Sequence, residues 1–229
     1  MTHNLDPAYA GKHASYFEDN RSEMAAFVPS HAKVILEVGC GNAAFAAMLK
    51  ASRNVVITCI EPFEPAAVIA RQRVDRVICS SIEDGVSELG SERFDCIVAN
   101  DVLEHLVDPW DAVSKLSVLL KPDGAIVASV PNVRYLPVFN DYVLRGEWRY
   151  RQSGVLDRTH LRFFTQASLR DLFESSGLRV DQLEGINPTQ LSWRFRMLHM
   201  LVGGALDDTR FKQLACVCRL PSAAASSSV

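Results

Sequence analysis

Five short apolar runs, rich in valine and isoleucine, recur along the first part of the chain: Lys33–Val38, Val55–Ile60, Arg76–Cys79, Phe94–Ala99 and Gly124–Val130. Each is apolar at consecutive positions, as a strand covered on both faces must be, and each has the length of a strand rather than a helix. Between them the spacing turns helical, over Ala43–Ala51, Glu64–Arg73 and Asp108–Leu120. In the last of these Trp110, Val113, Leu116 and Leu120 form one stripe. Lys121-Pro122-Asp123-Gly124 then ends the helix with turn chemistry. Alternating strand and helix predict a doubly wound, mostly parallel α/β sheet with helices on both faces.

The pattern changes after Pro131. Asn132–Arg162 has no clean strand period and reads as an insert after the fifth strand, spanning about residues 132–164. Thr165 is placed to cap a helix over Gln166–Ser176, with Leu169, Leu172 and Phe173 inward and Gly177 as the stop. Leu178–Leu183 and Gln213–Leu220 alternate like strands, which brings the sheet to seven, the last antiparallel. An apolar helical stretch, Leu191–Gly204, joins them; Trp193, Met197, Leu198 and Leu201 suit core better than a dimer face, and the oligomeric state stays open. One domain over residues 1–220 is expected, followed by a low-complexity, disordered tail over 221–229.

Composition changes this picture little. The 229 residues carry a net charge of −3, so no global positive field draws the chain to nucleic acid or to anionic membrane. No apolar run is long enough to span a bilayer and the N-terminal residues show no apolar leader, so a cytoplasmic location is expected. The six cysteines form no CxxC pair and read as reduced, mostly buried residues; no metal site is expected.

Candidate chemistry begins at Val34-Ile35-Leu36-Glu37-Val38-Gly39-Cys40-Gly41-Asn42-Ala43, where a strand turns into a helix. Glycines there permit positive φ and close approach of a ligand to the backbone, at the carboxyl edge where open α/β sheets bind ligands. Glu61 ends the second strand, positioned to accept both ribose hydroxyls of a nucleoside. Gly39-x-Gly41-x-x-Ala44 also fits a dinucleotide fingerprint. Three features weigh against a nicotinamide dehydrogenase. The Glu37 carboxylate would repel a pyrophosphate but suits the α-ammonium of a methionine moiety. Little chain remains for a second mononucleotide half. The fourth strand runs into a further polar cluster, Asn100-Asp101-Val102-Leu103-Glu104-His105.

The ordered segments ILEVGCGNA, CIEPF, CSSIED, FDCIVANDVLEHLVDPW and LKPDGAIVASVPN resemble the successive motifs of class I S-adenosylmethionine-dependent methyltransferases. GEWRYRQSGVLDRTHLRFFT with SLRDLFESSGL is similar to a bacterial subgroup that tailors glycans and small molecules, and the likeness runs from about Tyr16 to Leu220. It implies a Rossmann-like fold and S-adenosylmethionine as methyl donor. It implies that Glu37 and the Gly39–Cys40–Gly41 backbone hold the methionine end, and that Glu61 holds the ribose with Pro62 beside the adenine. Ser81 and Ile82 would flank the adenine, with Glu83 or Asp84 on its amino group. Asn100 and Asp101 would lie under the sulfonium, with Val102 and His105 at the cofactor edge. Tyr16 and Arg21, in an N-terminal segment over 1–30, would close over the cofactor, Arg21 facing its carboxylate. Ala43 departs from the pattern, standing where many members have a third glycine.

Methyl transfer to a hydroxyl needs alignment and a base, and no metal. His160 is the candidate base, with Asp157 to orient it; His105, Tyr135 and Tyr142 are the alternatives. The insert interleaves Arg134, Arg145, Arg149, Arg151, Arg158 and Arg162 with Tyr135, Phe139, Tyr142, Trp148 and Tyr150. Such a surface suits a small, anionic or ring-bearing acceptor, a small molecule or glycan precursor. The expected activity is O-methylation. N-methylation of a small metabolite, or S-adenosylmethionine binding without catalysis, are the alternatives.

Overall fold

The computed structural model describes residues 21–190 and 205–221. Tyr16, the Leu191–Gly204 stretch and residues 222–229 lie outside them. Seven strands form one sheet: β1 Val34–Val38, β2 Val56–Ile60, β3 Arg76–Ile78, β4 Phe94–Asn100, β5 Leu120–Pro131, β6 Arg179–Pro188 and β7 Phe211–Arg219. Their order is β3-β2-β1-β4-β5-β7-β6. The β1–β5 ladders are all parallel, and β7 runs antiparallel to both of its neighbours, as expected of the last strand.

Alternation along the central strands divides the interior in two. Leu36, Val38, Ile97, Ala99, Ile126, Ala128 and Val130 face one side, with α3 (Ile82–Leu89), α4 (Pro109–Ser117) and α6 (Gln166–Ser175) over them. Ile35, Cys96, Val98, Ala125 and Val127 face the other, under α1 (Ala44–Ser52) and the 3-10 turn Ser22–Ala26. Helices α2 (Glu64–Ala70) and α5 (Leu136–Arg145) are the others among the described residues. Most positions on the central strands are therefore apolar, which is why these strands read as near-continuous runs.

Several local expectations changed. α4 stops at Ser117, and Lys121-Pro122-Asp123-Gly124 lies within β5, where the register against β4 shifts between Phe94 and Cys96. The turn-forming residues are accommodated as a strand irregularity. Trp110 is 44% exposed, whereas Ala112, Val113 and Leu116 are buried; the Arg162 guanidinium lies over the indole, 5.8 Å from the ring centroid. The insert contains α5, a helix with no buried residue although Leu136, Phe139 and Val143 recur at helical spacing. In α6 the capping is as expected, with Thr165 Oγ1 accepting from Ser168 N at 3.2 Å and Leu169, Leu172 and Phe173 fully buried.

A close helix–sheet approach occurs at Gly85, in the middle of α3. A Cβ there would lie 2.8–3.0 Å from three atoms of Ile60, itself fully buried in β2. Gly85→Ala is expected to destabilise the protein by about 1–3 kcal/mol through overpacking, despite the better helix propensity of alanine. Urea unfolding measures it; a midpoint equal to or above wild type would show that the layers can part there without loss.

Candidate active site

The carboxyl ends of β1, β2 and β4 converge on one edge, and the chain immediately after each strand builds the site. After β1 the backbone turns sharply, with Gly39, Gly41 and Ala43 at φ +64°, +55° and +59°. Gly39 N donates to Ile60 O at 2.8 Å, which fixes the start of the turn to the neighbouring strand. A Cβ on Gly39 would come within 2.6 Å of Val102 Cγ2, so this glycine is demanded by space as well as by conformation. Ala43 adopts the left-handed conformation at a cost of about 1–2 kcal/mol, which glycine would not incur. Cys40 is buried, and the neighbouring Cys59 thiol, burial and nearby carboxylates push its own thiol up, which disfavours the nucleophilic thiolate.

Two glutamates flank this turn. Glu37 is 3% exposed, and its Oε2 finds no hydrogen-bond partner among the described residues. Burial pushes its carboxyl up to about 8, opposed by donation from the Ala46 backbone and reinforced by the charge of Glu61. Glu61 is also buried, but accepts from Gly41 N at 2.7 Å and Phe63 N at 2.9 Å. Those bonds only partly offset the burial that raises its carboxyl. A buried carboxylate oxygen without a donor calls for a cation or a proton. The donor set fits S-adenosylmethionine. Glu37 would hold the α-ammonium, the turn has a glycine where a side chain would obstruct, and Glu61 is directed at the turn.

The chain after the third strand leads straight into α3. Half-buried Ser81 caps α3, its Oγ accepting from Asp84 N at 3.2 Å, and Ile82 is buried as the first helical residue. Glu83 and Asp84 are exposed in the first turn of α3, and Pro62 is half-buried after Glu61. Asn100, at the end of β4, has both side-chain polar atoms buried and without partners among the described residues.

Asp101 adopts φ +52° and joins a network across four parts of the chain. Arg21 forms an ion pair with it, and Arg21 Nη2 also donates to Ser129 Oγ at 3.0 Å. Gln213 Nε2 donates to Asp101 Oδ2 at 2.7 Å. Arg21 thus engages the protein's own carboxylate just after β4. Ser129 on β5 and Gln213 on β7 were missed in the sequence, where their signal was a buried polar residue next to an apolar run.

After β4 the 3-10 turn Leu103–His105 places Glu104 inward, 1% exposed, with both carboxylate oxygens unpartnered among the described residues. In the sequence Glu104 could equally have been a solvated face; the helical turn buries it. His160 lies opposite, with Nε2 4.0 Å from Glu104 Oε1, and His105 meets His160 edge to face at 4.8 Å between ring centroids. His160 Nδ1 is 3.0 Å from Val155 O, and His105 Nδ1 is 3.2 Å from Thr159 O. Asp157 Oδ1 accepts from Thr159 N and Oγ1 at 2.9 and 2.8 Å, bracing the loop that carries His160.

Comparison with known proteins agrees with this arrangement. A family model described as a methyltransferase domain matches residues 1–183. The ubiquinone biosynthesis O-methyltransferase of Actinobacillus pleuropneumoniae serotype 7 is 28% identical over 171 residues, covering 71% of this chain and 73% of that protein. The enzyme of the same name from Coxiella burnetii is 25% identical, covering 68% of this chain and 67% of its own. Among solved structures, a SAM-dependent methyltransferase from Archaeoglobus fulgidus superposes with a TM-score of 0.64 at 16% identity, over 93% of this chain and 97% of that one. A possible histamine N-methyltransferase from Thermotoga maritima gives 0.62 at 17% identity, over 95% of each.

Glu37 carries a testable linkage. Its carboxyl titrates near 8 in the folded chain and near 4.5 as a free group. The folded state keeps a proton that the unfolded state loses, so this group removes stability as pH rises from about 4.5 to 8. Glu37→Gln is expected to raise Tm of the ligand-free protein at pH 8.5 more than at pH 5. The same substitution should weaken S-adenosylhomocysteine binding about tenfold or more, measured by calorimetry. A Tm gain independent of pH would argue that the carboxyl is not strained by burial.

Proposed function

The chain belongs to the class I S-adenosylmethionine-dependent methyltransferases, and from that premise we propose that it methylates a hydroxyl oxygen on a small-molecule acceptor in the cytoplasm. The observation that carries the cofactor assignment to particular residues is the buried Glu37 oxygen without a donor, beside a turn that has no room for a side chain at Gly39. When bound, S-adenosylmethionine supplies an electrophilic methyl group on a sulfonium. Glu37 and the Gly39–Gly41 backbone would bind its methionine end, and Glu61 its ribose. Asn100 and Asp101 would border the reacting sulfur, and Arg21 would hold Asp101 in place. His160 would take the acceptor's proton.

The choice of oxygen follows the O-methyltransferases among the relatives. Nitrogen is the competing atom, and a glycan precursor the competing acceptor. No helix among the described residues is long and apolar enough to cross a membrane. The acceptor would meet the insert, where Tyr142, Trp148 and Phe163 stack edge to face at 5.8 and 5.2 Å between ring centroids. Arg149 and Arg151 stand 75% and 65% exposed, paired with Glu147 and Asp141. Solvated pairs of this kind contribute little to stability, which leaves both guanidiniums available to an anionic acceptor.

The test is turnover of methyl-labelled S-adenosylmethionine on a panel of catechols, hydroxybenzoates, amines and sugar nucleotides, with product analysis by mass spectrometry. A methyl ether on a hydroxybenzoate is the expected product; transfer only to amines would overturn the oxygen assignment. Arg149→Glu with Arg151→Glu should raise the acceptor KM about tenfold while leaving Tm within a few degrees of wild type. An unchanged KM would remove the insert from acceptor selection.

A further inference from the structure

Positive φ is costly for a residue that carries a Cβ, and such strain persists where surrounding contacts hold it. Among the described residues the non-glycine positions in this conformation are Arg21 (+44°), Ala43 (+59°), Asp101 (+52°) and Asn187 (+56°). Ala43 belongs to the turn after β1. The side chains of the other three join in a closed circuit with Glu23 and Gln213. Arg21 pairs with Asp101 and, from Nε at 3.1 Å, with Glu23. Asn187 Nδ2 donates to Glu23 Oε1 at 3.1 Å and to Gln213 Oε1 at 2.6 Å. Gln213 Nε2 donates to Asp101 Oδ2 at 2.7 Å and closes the circuit.

Carboxylates accept and do not donate, so each amide must turn its nitrogen toward an acid. That fixes Asn187 against Glu23 and Gln213 against Asp101, with Gln213 Oε1 left to accept from Asn187. Gln213 is buried on β7, opposite Pro131 of β5 and Ile186 of β6, where an amide is costly unless both of its ends are bonded. The circuit therefore ties the 3-10 turn Ser22–Ala26, the end of β6 and the start of β7 to Asp101.

Asp101 hands this constraint to the glycine turn. The next residue is Val102, which is buried and packs so closely on Gly39 that a Cβ there would meet Cγ2 at 2.6 Å. Val102 cannot move toward the turn without displacing it. The turn amides are themselves bonded, Gly39 N to Ile60 O, Gly41 N to Glu61 Oε2 and Ala43 N to Cys40 O, at 2.7–2.8 Å. We propose that Gln213, Asn187 and Glu23 are positioning residues for the cofactor turn, acting through Asp101 and Val102 on Gly39. This rests on the assignment of that turn to S-adenosylmethionine, and it draws the antiparallel end of the sheet into cofactor binding.

Calorimetric titration with S-adenosylhomocysteine and hydrogen exchange of the ligand-free protein test this. Gln213→Met keeps an unbranched side chain of similar length and removes both polar atoms. It should raise Kd about tenfold and speed exchange of the Gly39, Gly41 and Ala43 amides by a similar factor. Glu23→Ala, at the half-buried corner of the circuit, should act in the same direction. Glu23→Gln keeps an oxygen for Asn187 and should restore part of the affinity. In a double-mutant cycle of Gln213→Met with Val102→Ala the two losses should not add, because trimming Val102 uncouples the circuit from the turn. A lowered Tm with unchanged Kd and unchanged exchange at the turn overturns the proposal, as do fully additive losses in the cycle. Should Gln213→Met not fold, the two Glu23 variants decide by the same measurements. If the wild-type protein binds no S-adenosylhomocysteine, the cofactor reading itself fails; the exchange rates need no ligand and still decide whether the circuit holds the turn.

Discussion

Carboxylates crowd the carboxyl edge of this sheet, and the way each is neutralised organises what surrounds it. Glu61 is met by two backbone N–H groups of the turns it adjoins. Asp101 is met by Arg21 and Gln213, which bring the N-terminal part of the described chain and β7 to the end of β4. Glu37 and Glu104 have oxygens that the described residues leave without donors. Burying such groups costs several kcal/mol each unless a cation or a proton compensates. A fold tolerates that cost where a bound ligand or a proton supplies the compensation.

The same edge explains why a narrow set of small residues surrounds the turn. Parallel strands end with their carbonyls and following loops on one side, so the polar groups of the site come from chain that has just left the sheet. Gly39 lies against Val102 and Gly85 against Ile60, so the turn and the adjoining helix layer are set by close van der Waals contact. A site assembled in this way is rigid at the cofactor end. The insert around α5 is packed more lightly, with no residue of the helix buried and most ion pairs solvated.

Much of this was legible along the chain. The five parallel strands lie within a few residues of their apolar runs, because a strand buried on both faces has to be apolar throughout. The Thr165 cap and the glycine turn follow from equally local rules. Glu37 stood out as a charge at the end of a buried run, and the family likeness rested on motifs read in order.

Other features were settled only in three dimensions. Trp110 faces outward because one helical stripe can be continued in two ways, and only the packed neighbour chooses between them. Helix α5 has Leu136, Phe139 and Val143 at helical spacing but buries none of its residues, so its place is set only by the surrounding loops. Ser129, Gln213 and Arg21 converge on Asp101 from positions 28 to 112 residues away, and no spacing rule connects them. Glu104 had no stated role in the sequence, yet the 3-10 turn and its two backbone bonds to the His160 loop turn it into the interior. Local pattern determined the strands, the turn and the methyl donor, because each depends on residues close together in the chain. Which carboxylate meets which partner was decided by tertiary packing, because such pairings join segments that only the folded sheet brings together.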